Sequence, residues 1–147
     1  MPVMRVRVRN MSALQAKVKR LPLQVQAGVF TSFTSLAPLI KADIQDELRK
    51  PKSGPIKTRY RPKRRVKTSL PGEAPAEDLG LLVASIDVDV DPVQFNMIIS
   101  ANAFYAKFLE LGTRRMLPRP FLVPALTRWR QRIIDAMQIA IRNNLDV

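Results

Sequence analysis

Three aspartates at alternate positions, Asp87, Asp89 and Asp91, are the residues of this sequence best placed to do chemistry. Clustered carboxylates hold hard cations, so "DVDVD" invites a metal site or a metal-dependent enzyme. The spacing argues against it. On a strand the three carboxylates would stand in a row about 6.8 Å apart, splayed rather than convergent. The glycine and distal glutamate of a calcium-binding loop are also missing. A solvated or arginine-paired strand face is the better reading, with no metal and no cofactor.

The second candidate is charge. Nine of the 25 basic residues fall between Lys50 and Lys67 with no acid among them, in a chain of formal net charge +13. Such a field attracts polyanions or acidic protein surfaces. Lysine and arginine neutralise phosphates and release their counterions, which suits nucleic acid. Tyr60 is the only aromatic residue in the run, so a stacking platform for single strands is not expected. No helix-turn-helix, zinc-finger or RNA-recognition signature accompanies it. Nonspecific polyanion contact is expected, and sequence-specific binding is not.

The sequence has neither histidine nor cysteine. That removes Ser-His-Asp and Cys-His catalysis, histidine-ligated zinc and the usual proton shuttle near neutral pH. Disulfides and thiolate metal sites go with them, consistent with assembly in a reducing compartment. The apolar stretches stop short of the roughly 18 residues of a membrane span. "MPVMRVRVRN" lacks the continuous apolar core of a signal peptide. At 147 residues, 46% of them hydrophobic, one domain spanning 1–147 with one real core is expected.

These groups need elements to position them. Residues 3–9 alternate as a strand, with Val6 and Val8 against Arg5, Arg7 and Arg9. Asn10 or Ser12 can start a helix carrying Met11, Leu14, Val18 and Leu21, interrupted by Pro22. Val25, Val29, Phe33, Leu36, Ile40, Ile44 and Leu48 trace a longer helix, in which Pro38 predicts a kink or break. From Lys50 to Ala76 periodicity vanishes among five prolines, Pro51, Pro55, Pro62, Pro71 and Pro75. A long basic loop or arm over 50–78 is expected, ordered chiefly against a partner. "LLVASIDVDV" (81–90) and "QFNMIIS" (94–100) read as a β-hairpin joined at Asp91-Pro92. "FYAKFLEL" (104–111) reads as two helical turns ending at Gly112, with Phe104, Tyr105 and Phe108 in the core first and an interface second. Pro120 can open a last helix bearing Leu122, Leu126, Trp129, Ile133, Met137 and Ile141.

The sum is α+β: a small antiparallel sheet, the N-terminal strand plus the hairpin around 81–100, packed against helices. If the first strand neighbours 86–91, a ladder of Arg5, Arg7 and Arg9 facing Asp87, Asp89 and Asp91 would form.

Two segments carry more than pattern. "PGEAPAEDLGLLVASI" (71–86) and "YAKFLELGTRRMLPRPFLVPAL" (105–126) resemble the tail-completion (neck) protein family of long-tailed bacteriophages. The matching motifs are Pro71-Gly72-Glu73-Ala74-Pro75-Ala76, Asp78-Leu79-Gly80-Leu81-Leu82, Tyr105 to Gly112-Thr113, and Arg119-Pro120-Phe121-Leu122-Val123-Pro124-Ala125-Leu126. They stand in the family's order, after a basic loop. Leu79-Gly80 departs from the family's Thr-Gly. The resemblance implies a structural virion protein without catalysis, assembled in the host cytoplasm and located in the neck between head and tail. It implies a homo-oligomer, a hexameric ring around the channel for genomic DNA. Its neighbours would be a connector or stopper protein and the tail tube or tail terminator, with no membrane involved.

Within that reading, Glu110 lies near Arg114, Arg115 and Arg119 in sequence. This group can brace the protomer or reach the next one, and bracing is preferred because buried charges need partners. The arm, with Arg59, Arg61, Lys63, Arg64, Arg65, Lys67, Pro71, Gly72, Glu73 and Pro75, is the interface candidate. It would dock on a neighbouring subunit or neck protein, its basic residues open to the DNA lumen. A basic, nonspecific DNA-binding accessory protein without ring assembly is the alternative.

Overall fold

A computed structural model describes residues 4–6, 16–60 and 62–145. The elements are β1 (Met4–Val6), α1 (Leu23–Arg49), β2 (Ile56–Tyr60), β3 (Lys63–Lys67), α2 (Leu81–Ala84), β4 (Ile86–Asp91), β5 (Asn96–Ala101), α3 (Ala106–Leu111) and α4 (Leu122–Leu145). The class is α+β, as the patterning predicts. A three-stranded antiparallel sheet has the order β1-β5-β4, and β2 and β3 form a separate antiparallel ribbon.

The apolar stripe of α1 dictates the centre of the molecule. Val25, Val29, Phe33, Ala37, Ile40, Ile44 and Leu48 recur at three- and four-residue spacing, and all are buried. They pack against β4 and against α4, whose own stripe buries Leu122, Ala125, Trp129, Met137 and Ala140. The two long helices run antiparallel. Asp43 meets Arg128 and Trp129 at one end, and Gly28 lies beside Ala140 and Asn144 at the other. Arg128 and Trp129 Nε1 both donate to Asp43 Oδ2 at 2.9 Å. Burial works to raise the Asp43 carboxyl, but these two donors outweigh it and hold it below its ordinary value. Trp129 thus packs as expected, with its N–H satisfied.

Four expectations are corrected. Of the kink or break expected at Pro38, the break does not occur, because α1 runs through it as one element of 27 residues. Pro38 lies on the exposed side, where water can satisfy the carbonyl its ring leaves unpaired. Residues 81–84 form a helical turn rather than strand. Adjacent Leu82 and Val83 are both buried, which a strand with one buried face cannot achieve. The arginine–aspartate ladder fails because β5 lies between the two strands: Arg5 and Asp87 both register with Ser100. Asp87 instead accepts from Lys41 Nζ of α1 at 3.1 Å, and that contact holds its carboxyl below the ordinary value. Finally, α4 begins at Leu122, not Pro120, because a carboxylate of α3 holds its leading amides. Asn10, Met11, Ser12, Leu14, Arg7, Val8 and Arg9, on which other expectations rest, lie outside the described residues.

Ile44 contributes no surface to solvent and sits in the main core cluster. Ile44→Ala should destabilise the protein by about 2–5 kcal/mol, read as a lower denaturation midpoint with unchanged m-value.

Candidate functional site

The segment 50–78 is an arm with a built base and a regular tip. Its prolines punctuate strands instead of preventing them: Pro51 and Pro55 precede β2, Pro62 lies in the turn, and Pro71 and Pro75 follow β3. Between them stand Ile56, Thr58, Tyr60 and Val66, residues that suit an extended ribbon. The expected irregular loop is therefore a hairpin over Ile56–Tyr60 and Lys63–Lys67, closed by the pair Tyr60 and Lys63.

Hydrogen bonds close the base. Gly54 N donates to the Thr68 carbonyl at 2.9 Å, and Thr68 N and Oγ1 donate to the Pro55 carbonyl. A Cβ on Gly54 would lie 2.4 Å from the Thr68 oxygen, so only glycine allows this approach. The Leu70-Pro71-Gly72-Glu73 turn has Gly72 at φ +81°, a left-handed position, with Glu73 N donating to the Leu70 carbonyl. The Glu73 carboxylate accepts from Leu70 N at 2.8 Å and from Ser53 N and Oγ across the base. The Leu70 amide, assisted by Ser53, holds this carboxyl below its ordinary value. Lys52 Nζ, buried beneath, donates to the Glu47 carbonyl.

The strand alternation sorts the ribbon into two faces. Lys57, Arg59, Arg64 and Val66 share one face, which turns to the body. Arg64 donates from Nε and Nη2 to the two Asp78 oxygens at 2.6 and 2.7 Å, a bidentate latch, and Arg59 lies 3.9 Å from the same carboxylate. The other face carries Ile56, Thr58, Tyr60, Lys63, Arg65 and Lys67, all exposed. Arg61 lies outside the described residues.

Under the ribbon is a cavity of about 340 Å³, lined by Arg59, Val66, Ser69, Tyr105, Leu109 and Arg119 among others. Ser69 Oγ and Arg119 Nε are buried there without a hydrogen-bond partner among the described residues. Burial, with Asp78 nearby, pushes the Tyr105 hydroxyl above its ordinary value.

Glu110 braces the protomer, but not through the arginines. Its carboxylate, 4% exposed, accepts from the backbone N–H of Phe121 at 2.8 Å, Leu122 at 3.1 Å and Val123 at 2.9 Å. A helix start leaves four amides without internal partners. Glu110 takes three, and Pro124 has no N–H to leave. This explains why α4 starts at Leu122 and why proline recurs in "RPFLVP". Among the described residues Arg114, Arg115 and Arg119 form no ion pair with Glu110, and Arg114 and Arg115 are exposed. Arg119 contributes its backbone instead, donating to the Leu109 carbonyl at 2.7 Å. Gly112, at φ +75°, ends α3 where a Cβ would meet the Met116 oxygen at 2.8 Å, and Thr113 pairs with Met116.

With Ala106 and Glu110 directed inward, α3 turns another face out. Phe104, Phe108 and Leu111 are 70%, 51% and 62% exposed. Phe108 and Leu111, three residues apart, share one side of the helix, and Phe104 stands in the turn that leads into it. The core placement expected for Phe104 and Phe108 is thus corrected, while Tyr105 packs against the core. The aspartates of β4 act separately: Asp91 Oδ1 accepts from Val93 N and Gln94 N in the turn, and Asp89 is exposed. The described residues hold no group of three potential ligands and no helix long and apolar enough to cross a membrane.

Sequence reasoning missed Ser53, Gly54 and Thr68 at the base and Asp78 as the latch. The acids that follow the basic run, Glu73, Glu77 and Asp78, were the available signal for the latch. No family model, curated protein or solved structure matches this chain.

Two outcomes follow from this geometry. Glu110→Ala leaves three amides without their acceptor, at about 1–3 kcal/mol for a buried group left unpaired, and should lower the thermal midpoint sharply. Glu110→Gln keeps an acceptor oxygen and should lose less. The folded Asp78 carboxyl titrates below its ordinary 3.8 because Arg64 bonds it. The latch therefore contributes fully above that value and is lost as pH falls through the lower folded value. Amide exchange across Ile56–Tyr60, compared with the pH trend of the unlatched chain, should rise in that acid range. Asp78→Asn should show the faster exchange already at neutral pH.

Proposed function

We propose that this protein is a structural virion component of the head–tail joining region of a long-tailed bacteriophage. It completes the head-proximal end of the tail as one subunit of a ring around the DNA channel, joining the tail to the connector. The observation that carries the reading is the apolar face of α3. Phe108 and Leu111 stand exposed on this short helix, with Phe104 exposed in the turn just before it, and the Glu110 carboxylate ties the helix to the head of α4. Burying such side chains against a neighbour is worth about 1.5–3 kcal/mol each when complete. A face of this kind meeting a different surface on the next copy gives a head-to-tail contact that closes into a ring. The resemblance of "PGEAPA" and "RPFLVPAL" to neck proteins supplies the setting and a hexameric count. The hairpin is then the arm that projects from each subunit toward a neighbouring protein or the channel. The protein acts by assembly and carries out no catalysis.

Phe108→Asp tests this directly. The side chain is exposed, so far-UV circular dichroism and thermal midpoint should stay close to wild type. The variant should fail to form the ring species seen by native mass spectrometry with connector and tail-end proteins, and should fail to join heads to tails in extracts. Full assembly by this variant would remove the reading. DNA binding retained by a chain that never assembles would favour the accessory-protein alternative.

A further inference from the structure

We infer that the outer face of the β2–β3 hairpin binds the phosphate backbone of duplex DNA, with Lys63, Arg65 and Lys67 as the contacting row. This deepens the neck reading, on which it rests only for the source of the DNA. Alternate residues of β3 project from one face about 6.8 Å apart, so the three cations form a straight line. All three are exposed and make no ion pair among the described residues. The neighbouring arginines are differently employed: Arg64, with Arg59 behind it, is turned to the body and bound to Asp78.

The partner has to bring the negative charge. Asp43, Asp46, Glu47, Asp78 and Asp87 are already paired with cations of the same chain. Glu73, Asp91 and Glu110 are engaged by backbone amides, and Asp135 by Gln131. Among the described acids only Glu77 and Asp89 carry no such contact, too few to neutralise another copy's ribbon. A second copy is therefore not the occupant.

An acidic protein is the remaining competitor, and the composition of the face disfavours it. Protein interfaces centre on apolar anchors and exclude lysine from their core. Here the centre of the face is Arg65 opposite Thr58, and the two apolar residues stand at its ends, each opposite a lysine, Ile56 with Lys67 and Tyr60 with Lys63, so no apolar anchor is central. Polar, strongly positive surfaces are those of protein–DNA contacts. A two-stranded ribbon also fits the major groove in width, and this one carries no Asn or Gln to read adenine and no acid to read cytosine. The contact is with backbone and independent of sequence.

The test is duplex binding by the full chain, followed by fluorescence anisotropy with a short random-sequence DNA from about 50 to about 200 mM salt. The triple variant K63A/R65A/K67A should bind at least tenfold more weakly at the lowest salt. Its log K against log salt slope should be shallower by about 2.7, because three fewer phosphates are neutralised at about 0.9 each. The charge-preserving variant K63R/R65K/K67R should match wild type. Unchanged affinity and slope in the alanine variant would overturn the inference. Equal binding of wild type to polyglutamate, with the same salt slope, would overturn it in favour of an acidic protein. Ring formation by Phe108→Asp is read separately, so failure here and failure of the neck reading are distinguishable.

Discussion

Three backbone amides at the head of α4 converge on the Glu110 carboxylate, and the arrangement of both exposed surfaces descends from that contact. It fixes the short α3 against the longest element of the C-terminal half, which leaves Phe104, Phe108 and Leu111 no core to enter. It also sets the path of the loop between the two helices. The Pro118 carbonyl of that loop accepts from Gly72 N, which seats the turn holding Glu73. Glu73 in turn reaches Ser53 across the base of the hairpin. One buried acid thus stands at the start of a hydrogen-bonded path that ends in the projecting ribbon.

How much of this could be read in the sequence depends on the range of the interactions involved. The stripes Val25 to Leu48 and Leu122 to Ile141, and the hairpin around Asp91-Pro92, rest on local periodicity and were legible. The Arg5–Asp87 pairing was not, because strand order is decided by contacts between distant segments, and β5 intervenes. The ribbon was hidden by prolines that delimit strands as readily as they prevent helices. Glu110 was recognisable as a bracing acid from its neighbourhood, yet its true partners are amides eleven to thirteen residues away. No residue-type rule points to a donor that every residue but proline possesses.

The two outward surfaces divide by chemistry. The face of α3 is apolar and suits a surface that excludes water. The outer face of the ribbon is cationic, with Lys63, Arg65 and Lys67 exposed and outside every ion pair among the described residues. The body keeps them apart in character because its carboxylates are consumed inside: Asp43 on the α1–α4 seam, Asp87 on the sheet edge, Asp78 under the ribbon. The net charge of the chain is therefore expressed where no internal acid can offset it.

Gly54 and Thr68 meet at hydrogen-bonding distance on one side of the base, and Thr68 returns the contact to Pro55 on the other. The body is consequently sealed before the chain leaves it and again as the chain re-enters. Beyond that seam the ribbon is tied back to the body by Arg64 on Asp78. Lengthening or shortening the ribbon would change how far it projects while the hydrogen-bonded seam and the core beneath stay as they are.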